Sequence, residues 1–436
     1  MTKARQSKRS GRRPRGDKRP AAGRVRLRVE RLGHRGDGVA APEAGGDPVY
    51  VPYTLPGEVV DAEVSGARGR LLSVIEPSSD RIAPDCPVFG SCGGCATQHM
   101  APDAYAEWKR DIVVTALRNQ RIETEIGPLI DAHGAGRRRV TVHTARAGDG
   151  SVVAGFHARR GRSVVDIAAC PVLTGALAPA FDIGRAIAAC AGGPRAALDL
   201  RITATDSGLD VDVAGADDID LGIREGLAAV AAEFDLARLT FAGETLAERR
   251  RPVLDTGGAP LSPPPRGFLQ ATHAGEAALA GLVLDHVPGG CAVADLFCGV
   301  GPFALRLARR QSVLAVDSDG EALGALEHAV NATPGLKPVD VRRRDLFEDP
   351  LNADDLGDIG CVVFDPPRAG AEAQARELAA ATVPVVVNVS CDPATFARDA
   401  AILIGGGYRL EHVTPVDQFR HAAHIEIVGV FTRRGS

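Results

Sequence analysis

The chain has 436 residues, 45% of them hydrophobic, which is enough for two to three domains with buried cores. No apolar run reaches the roughly 18 residues of a membrane span, and the basic start leads into no apolar h-region, so neither a membrane nor a secreted protein is expected. A net charge of −4 hides an asymmetry: residues 1–20 hold nine Lys/Arg and one acid, leaving 42 basic against 54 acidic residues elsewhere.

Residues 1–22 read as a basic disordered tail. Such a tail on an acidic body suggests contact with a polyanion; a solvated arm without a partner is the alternative. From Gly23 to about Pro77 come short β-rich runs at Val25–Val29, Pro48–Pro52, Glu58–Val64 and Gly69–Ile75, separated by glycine turns such as Gly33-His34-Arg35-Gly36-Asp37-Gly38. That pattern predicts a small barrel. Barrels of this size often bind nucleic acid on one face, although a purely structural barrel fits the pattern too.

Cys86, Cys92 and Cys95 follow, with Cys170 far downstream. Nine cysteines in a chain this long do not form a disulfide scaffold; an intracellular protein using thiols for metal or catalysis is expected. Four thiolates suit zinc and an iron–sulfur cluster equally. The C-x3-C-x2-C spacing of radical chemistry is absent. A helix is expected around Ala104–Gln120. Residues 126–255 mix strands with Ala-rich helices and carry basic clusters at Arg137-Arg138-Arg139 and Arg159-Arg160-Gly161-Arg162. Thr256–Pro265 is rich in Pro and Gly and reads as a linker or long loop.

The remainder alternates strand and helix signals, with strands near 291–297, 312–317, 360–365 and 383–389. Alternation of this kind predicts a doubly wound sheet. The last run, His424–Phe431, has no helix after it and is expected as an antiparallel or edge strand. Asp295-Leu296-Phe297-Cys298-Gly299-Val300-Gly301 closes the first of these strands. Its glycines let a ligand approach the backbone, and Asp317, ending the next strand, is placed to grip ribose hydroxyls. The G-x-G-x-x-G triple is incomplete, so a pyrophosphate cradle is not indicated; dinucleotide and S-adenosylmethionine both remain open. Asp345 can serve the adenine end.

Two further strands end in chemistry-bearing turns. Asp365-Pro366-Pro367-Arg368 resembles the turn of methyltransferases acting on planar nitrogens, but Arg368 stands where those enzymes place a stacking aromatic. Ser390-Cys391-Asp392-Pro393 puts a thiol on the neighbouring turn. A thiol there can add to an electron-poor ring, which methyl transfer to nitrogen or oxygen does not require. Cys361, inside its strand, is expected in the core. Glu426, flanked by Ile425 and Ile427, also reads as a polar residue on a strand's wet face.

Taken together, these residues resemble the RNA 5-methyluridine methyltransferase family, the uracil carbon-5 methylases of transfer and ribosomal RNA. The resemblance spans about residues 24–431. It rests on Gly267-Phe268-Leu269-Gln270, Asp295 to Gly301, Asp365 to Gly370, Ser390 to Thr395 with Ala397-Arg398-Asp399, and His424-Ile425-Glu426. It implies an α/β fold: a Rossmann-like S-adenosylmethionine methyltransferase domain over 263–436, an N-terminal TRAM/OB-like small β-barrel over 23–80, and a central α+β iron–sulfur-containing domain over 81–262. A helix within 98–125 of that central part is able to pack on the catalytic domain.

The resemblance further implies that Cys391 is the nucleophile and Glu426 the general base. Gln270, Phe297, Asp317 and Asp365 would contact S-adenosylmethionine, and Cys86, Cys92, Cys95 and Cys170 would ligate a [4Fe–4S] cluster, with zinc the lesser possibility. Asp365 can orient either the uracil edge or the methionine amine. The expected partner is RNA, ribosomal rather than transfer RNA, for a cytoplasmic monomer. Two positions depart from the family: Asp392 and Thr272 stand where it usually has asparagine. Asp392 adds negative charge beside the thiol, which raises its pKa unless paired. These departures are what favours the alternative, a noncatalytic RNA-binding iron–sulfur protein with a degenerate methyltransferase fold. Methylation of a base amino group is a third option.

Overall fold

A computed structural model describes residues 23–42, 46–215 and 219–433; the expected basic tail lies outside them. The chain divides into two compact units, one ending at Arg81 and the other beginning at Ile82. Among the described residues no helix is long and apolar enough to cross a membrane.

In the first unit β1 (Gly23–Leu32), β2 (Asp37–Pro42), β3 (Val49–Pro52), β4 (Val59–Ser65) and β5 (Arg68–Glu76) close into a barrel in the order β1-β2-β3-β5-β4. Period-two alternation along β1 points Leu27 and Val29 inward, onto Ala40, Val49, Val51, Val60 and Ala62, and leaves Arg24, Arg26 and Arg28 outside. Arg24 and Arg26 both reach Asp61 on β4, at 2.7 and 3.0 Å. β2 is absent from the sequence expectation because its small residues carry little strand propensity. Barrel closure recruits it: Gly38 lies so close to Thr54 that a Cβ there would sit 2.0 Å from the hydroxyl.

The second unit opens with the cysteine segment and α1 (Pro102–Asn119), which starts on a proline and carries Asp103 in its first turn and Arg118 in its last. Its buried face holds Trp108, Lys109, Val113 and Leu117. β6 (Ile130–Asp131) follows. Next come β7 (Arg139–Arg146), β8 (Val152–His157), β9 (Val164–Asp166), α2 (Ala180–Ala191), β10 (Asp199–Thr205), β11 (Gly208–Ala214), α3 (Leu221–Glu233), β12 (Arg238–Phe241) and β13 (Glu244–Glu248). These strands make one sheet in the order β13-β12-β11-β10-β7-β8-β9. Its core joins Val142, Ala154, Leu200, Ile202, Val211 and Val213 to Phe181, Ile183 and Ile187 of α2. The Thr256–Pro265 stretch is partly a tight hairpin, β14 (Leu254–Asp255) against β15 (Pro260–Leu261).

An eight-stranded sheet follows in the order β18-β17-β16-β19-β20-β22-β21-β6. Its strands are β16 (Ala292–Leu296), β17 (Val313–Asp317), β18 (Val339–Arg343), β19 (Ile359–Phe364), β20 (Val385–Ser390), β21 (Tyr408–Asp417) and β22 (Glu426–Arg433). Helices α4 (His273–His286), α5 (Pro302–Leu307), α6 (Gly320–Ala332), α7 (Ala353–Leu356), α8 (Glu372–Ala380) and α9 (Pro393–Gly405) connect or precede them. β16 to β20 run parallel, and β22 lies antiparallel between β20 and β21. The last strand is therefore antiparallel, as one of the two expectations had it, but interior rather than at the edge. β16 neighbours β17 on one side and β19 on the other, so the strand order reverses there, the place where open α/β sheets bind ligands at their carboxyl ends. β6 extends the sheet beyond β21, and α1 packs on α9 and β21.

Candidate active site

The turn after β16 is built for close approach. Phe297, Gly299 and Gly301 have φ of 59°, 54° and 79°. At Gly301 a Cβ would meet Leu326 at 2.4 Å, so only glycine fits, whereas nothing stands within 4 Å of a Cβ at Gly299. Asp317 braces this turn: its Oδ2 accepts from Gly299 N at 2.8 Å and its Oδ1 from Asp319 N at 2.9 Å. The Phe297 ring lies 5.4 Å from that of Phe347, an exposed residue. Asp345 Oδ1 accepts from Phe347 N at 3.0 Å and so fixes the backbone that carries that second ring. Sequence reading missed Phe347; its position two residues after Asp345 was the available signal. A pair of rings next to an open glycine turn braced by a carboxylate fits the nucleoside part of S-adenosylmethionine.

A chain of amides links the remaining groups. Gln270 donates from Nε2 to Asp365 Oδ2 at 3.2 Å. Gln418 donates from Nε2 both to Gln270 Oε1, at 2.6 Å, and to Glu426 Oε1, at 3.0 Å. Gln418 was not singled out from the sequence, because its place in the site depends on the fold of the 418–425 loop. Glu426 is buried, and so are Ile425 and Ile427. The wet-face reading of Glu426 therefore fails: an interior strand covered on both faces has no wet side.

Cys391, Glu426, Asp365 and Arg368 come together where β19, β20 and β22 meet. Burial, then the charges of Glu426 and Asp365, push the Cys391 thiol up to about 12, and Arg368 opposes them. Burial followed by Asp365 raises the Glu426 carboxyl above its ordinary range, against the hydrogen bond from Gln418. Burial also raises Asp365, against the bond from Gln270. Two enclosed acids side by side cannot both ionise freely, which is the electrostatic setting of a proton-handling site. Asp295, wholly buried at the end of β16, is also held well above its ordinary range, by burial and then by Asp365. Arg368 reaches toward the His424 ring, 3.2 Å from Nε2. Cys361 lies in the core, as expected.

Both departures from the family pattern turn out to cap helices. Asp392 Oδ1 accepts from Ala394 N and Thr395 N at 2.9 and 3.2 Å, capping α9. Thr272 Oγ1 accepts from Gly275 N at 2.8 Å, capping α4, and donates to Ala132 O at 2.7 Å. The Asp392 charge is thus paired with a helix N-terminus, and the charges that raise the thiol come from Glu426 and Asp365 instead.

The arginine run at the start of β7 supports the segment that carries Gln270. Arg138 donates to Gln270 O at 3.1 Å and to Glu276 Oε2 at 2.5 Å, and Arg306 meets Glu276 Oε1 at 2.7 Å. Arg139 donates to Leu269 O at 2.6 Å and lies 4.9 Å from the centre of the exposed Phe268 ring.

The four expected thiols are neighbours. Cys170 is pushed up to about 11 by burial, with Cys95, Cys86 and Cys92 each adding to the shift, and Cys95 is raised by burial and by Cys92 and Cys86. Gly93 allows their loop to close: a Cβ there would lie 2.9 Å from His157 O. Among the described residues no three His, Cys, Asp or Glu side chains converge as ligands of a single metal ion.

The model of the tRNA (uracil-5-)-methyltransferase family matches residues 349–435, which hold Asp365, Cys391 and Glu426, and the TRAM domain matches 23–72. An uncharacterized RNA methyltransferase of Brucella suis biovar 1 is 44% identical over 407 residues, covering 93% of this chain and 97% of that protein. The 23S rRNA (uracil(1939)-C(5))-methyltransferase RlmD of Halomonas elongata is 34% identical over 439 residues, covering 93% and 88%. The chain belongs to the RNA uracil-5 methyltransferase family. It is an S-adenosylmethionine-dependent RNA uracil-C5 methyltransferase with an N-terminal TRAM domain, and RNA is its substrate. The noncatalytic and base-amino alternatives therefore fall. The methyltransferase shares its fold with the Pyrococcus abyssi tRNA (uracil-54, C5)-methyltransferase solved in complex with S-adenosyl-L-homocysteine. That similarity has a TM-score of 0.71 at 22% identity and covers 94% of this chain and 99% of that one.

Proposed function

We propose that the methyltransferase modifies a specific uridine of ribosomal RNA, in preference to transfer RNA, through a covalent bond between Cys391 and uracil, with Glu426 as general base. The observation that carries this reading is the meeting of Cys391, Glu426 and Asp365 at one carboxyl edge, with each carboxyl held by an amide. In the resting site the sulfur is a thiol. Its proton passes to Asp365, which leaves Glu426 ionised, as Arg368 and the incoming ring favour the thiolate. The Cys391 sulfur adds to carbon 6, and the electron pair moves into the ring to make carbon 5 nucleophilic. S-adenosylmethionine supplies an electrophilic methyl group. Glu426 then takes the proton from carbon 5, the ring pair returns, and the bond to Cys391 breaks to release sulfur and 5-methyluridine.

Gln270, Phe297, Asp317 and Asp365 hold the cofactor in this reading. Phe297 faces the adenine side, Asp317 reaches ribose hydroxyls with the lone pairs left by Gly299 and Asp319, and Gln270 with Asp365 meets the methionine end or the uracil edge. A paired uridine is unreachable, so the target lies in a loop or is flipped out at a few kcal/mol.

Cys86, Cys92, Cys95 and Cys170 hold a [4Fe–4S] cluster in this reading, with zinc the lesser alternative. The support is an all-sulfur set of mutual neighbours, the donor set that such a cluster takes. Such a cluster would order the loop beside Arg137–Arg139. Protein purified without oxygen is expected to carry about four iron and four sulfide per chain. About one zinc and no sulfide would replace the cluster with a zinc site.

The methyltransferase is read as a cytoplasmic monomer of four parts: a tail over 1–22, a barrel over 23–80, a central domain over 81–262 and a catalytic domain over 263–436. Support for a ribosomal target is the Halomonas relative at 34% identity. The test is the 5-methyluridine content of separated ribosomal and transfer RNA from cells with and without the gene, by mass spectrometry of digests. Loss from one ribosomal position is expected; loss confined to transfer RNA overturns the ribosomal assignment.

A further inference from the structure

Helix α1 brings a buried cation to the strand pair that carries Glu426. Lys109 is fully enclosed, a costly place for a charge unless it is partnered. Its Nζ donates to Asp417 Oδ1 at 2.9 Å and to the backbone carbonyl of His424. One turn earlier, Tyr105 donates its hydroxyl to Asp417 Oδ2 at 2.6 Å and accepts from His421 N at 3.1 Å. Phe419 N, donating to Asp417 Oδ1 at 2.9 Å, completes the group. Asp417 ends β21, and Glu426 begins β22. One lysine therefore ties both ends of the 418–425 loop, at Asp417 on entry and at His424 on exit, two residues before Glu426. The loop's first residue is Gln418, which bonds Gln270 and Glu426.

A neutral donor suffices to fasten a loop, and Tyr105 already does so. What a lysine adds is its charge. Burial pulls the amine below its ordinary value, and the carboxylate and carbonyl facing it hold its charge against that, because a neutral amine would leave Asp417 buried and uncompensated. We propose that Lys109 is a positioning residue for proton removal at carbon 5: its two bonds aim Glu426, and its charge keeps that side chain available as a carboxylate. This rests on the reading of Glu426 as the base.

The groups facing Glu426 are Asp365 from the turn after β19, Cys391 from the turn after β20, Gln418 from the loop, and the cations Arg368 and Lys109. Burial and Asp365 drive Glu426 toward its protonated form; Gln418, Arg368 and Lys109 oppose them. Arg368 is exposed and screened by solvent, whereas Lys109 acts through the protein interior, where screening is weak. Burial is what most opposes the Lys109 charge; of the groups facing it, Asp417 favours that charge, Arg137 opposes it, and Glu426 beyond favours it.

The test is single-turnover release of tritium from RNA labelled at uridine carbon 5, measured across pH for the wild type, Lys109→Met and Tyr105→Phe. For Lys109→Met the acid limb is expected to move up by about one pH unit, so that release below it slows roughly tenfold. Trapping on 5-fluorouridine RNA, which has no carbon-5 proton, is expected at close to the wild-type rate. Tyr105→Phe loosens the same loop without removing charge, so release slows while the limb stays in place. If Lys109→Met does not fold, Lys109→Met with Asp417→Asn removes the opposed charges together. A smaller upward shift of the limb is expected from that pair, since the lost Asp417 carboxylate offsets part of the lost Lys109 cation. A folded Lys109 variant whose limb coincides with that of the wild type overturns the proposal. Continued tritium release by Glu426→Gln instead overturns the assignment of the base, so the two failures are distinct.

Discussion

Cys391→Ala is expected to abolish methyl transfer to uridine RNA, lowering the single-turnover rate by at least about 10^4-fold. Carbon 5 of uracil has no nucleophilic character until a group adds to carbon 6, and an alanine methyl cannot add. Asp365, Gln270 and Phe297 are untouched by the change, so S-adenosylmethionine binding, measured by calorimetry, is expected to persist. The wild type should form a denaturant-stable complex with 5-fluorouridine RNA, visible as a gel shift, and Cys391→Ala should form none. Full activity in the variant would remove the sulfur from the mechanism. Folding should not suffer, because Cys391 is half-buried in a turn and α9 keeps its cap on Asp392.

Glu426→Gln is expected to stop the reaction one step later. The sulfur can still add and carbon 5 can still be methylated, but the carbon-5 proton stays. The variant should therefore accumulate a methylated covalent complex on ordinary uridine RNA, with turnover down by about 10^2 to 10^4-fold. Mass spectrometry of the complex should give enzyme plus RNA plus one methyl. An equal fall in turnover without that species would move the base elsewhere.

The same variant should change stability in a pH-dependent way. Burial and Asp365 hold the Glu426 carboxyl above its ordinary value. The folded chain thus binds this proton more tightly than the unfolded chain, and folding loses stability as pH rises from about 4.3 through the raised value. Glutamine does not titrate and still accepts from Gln418. Glu426→Gln is expected to be more stable than the wild type above neutrality, by on the order of 1 kcal/mol, with the gap closing toward about pH 5. Thermal melts at both ends of that range measure it.

Much of this architecture was legible in one dimension. β16, β17, β19 and β20 stand within two residues of their expected positions, since buried parallel strands read as continuous apolar runs bounded by turns. β18 and β21 were missed: three of the five residues of Val339–Arg343 are charged, and Tyr408–Asp417 mixes polar with apolar residues. The cysteine set was visible as spacing. Its closeness was not, because Cys170 lies 75 residues beyond Cys95 and the two meet only in the folded chain, where Gly93 packs on His157.

By itself, the order of residues determined the turns and their chemistry: a thiol, a proline-bracketed acid and a glycine pair, each at the end of an apolar run. These are local features, set by side-chain period and backbone freedom. Tertiary structure alone decided the state of those groups. Glu426 is buried because β22 is inserted between β20 and β21, Asp392 and Thr272 are spent on helix ends, and Lys109 reaches the site from a helix some 300 residues upstream of Glu426. Burial and the distance between charges set a proton's affinity, and both are properties of the folded chain in three dimensions.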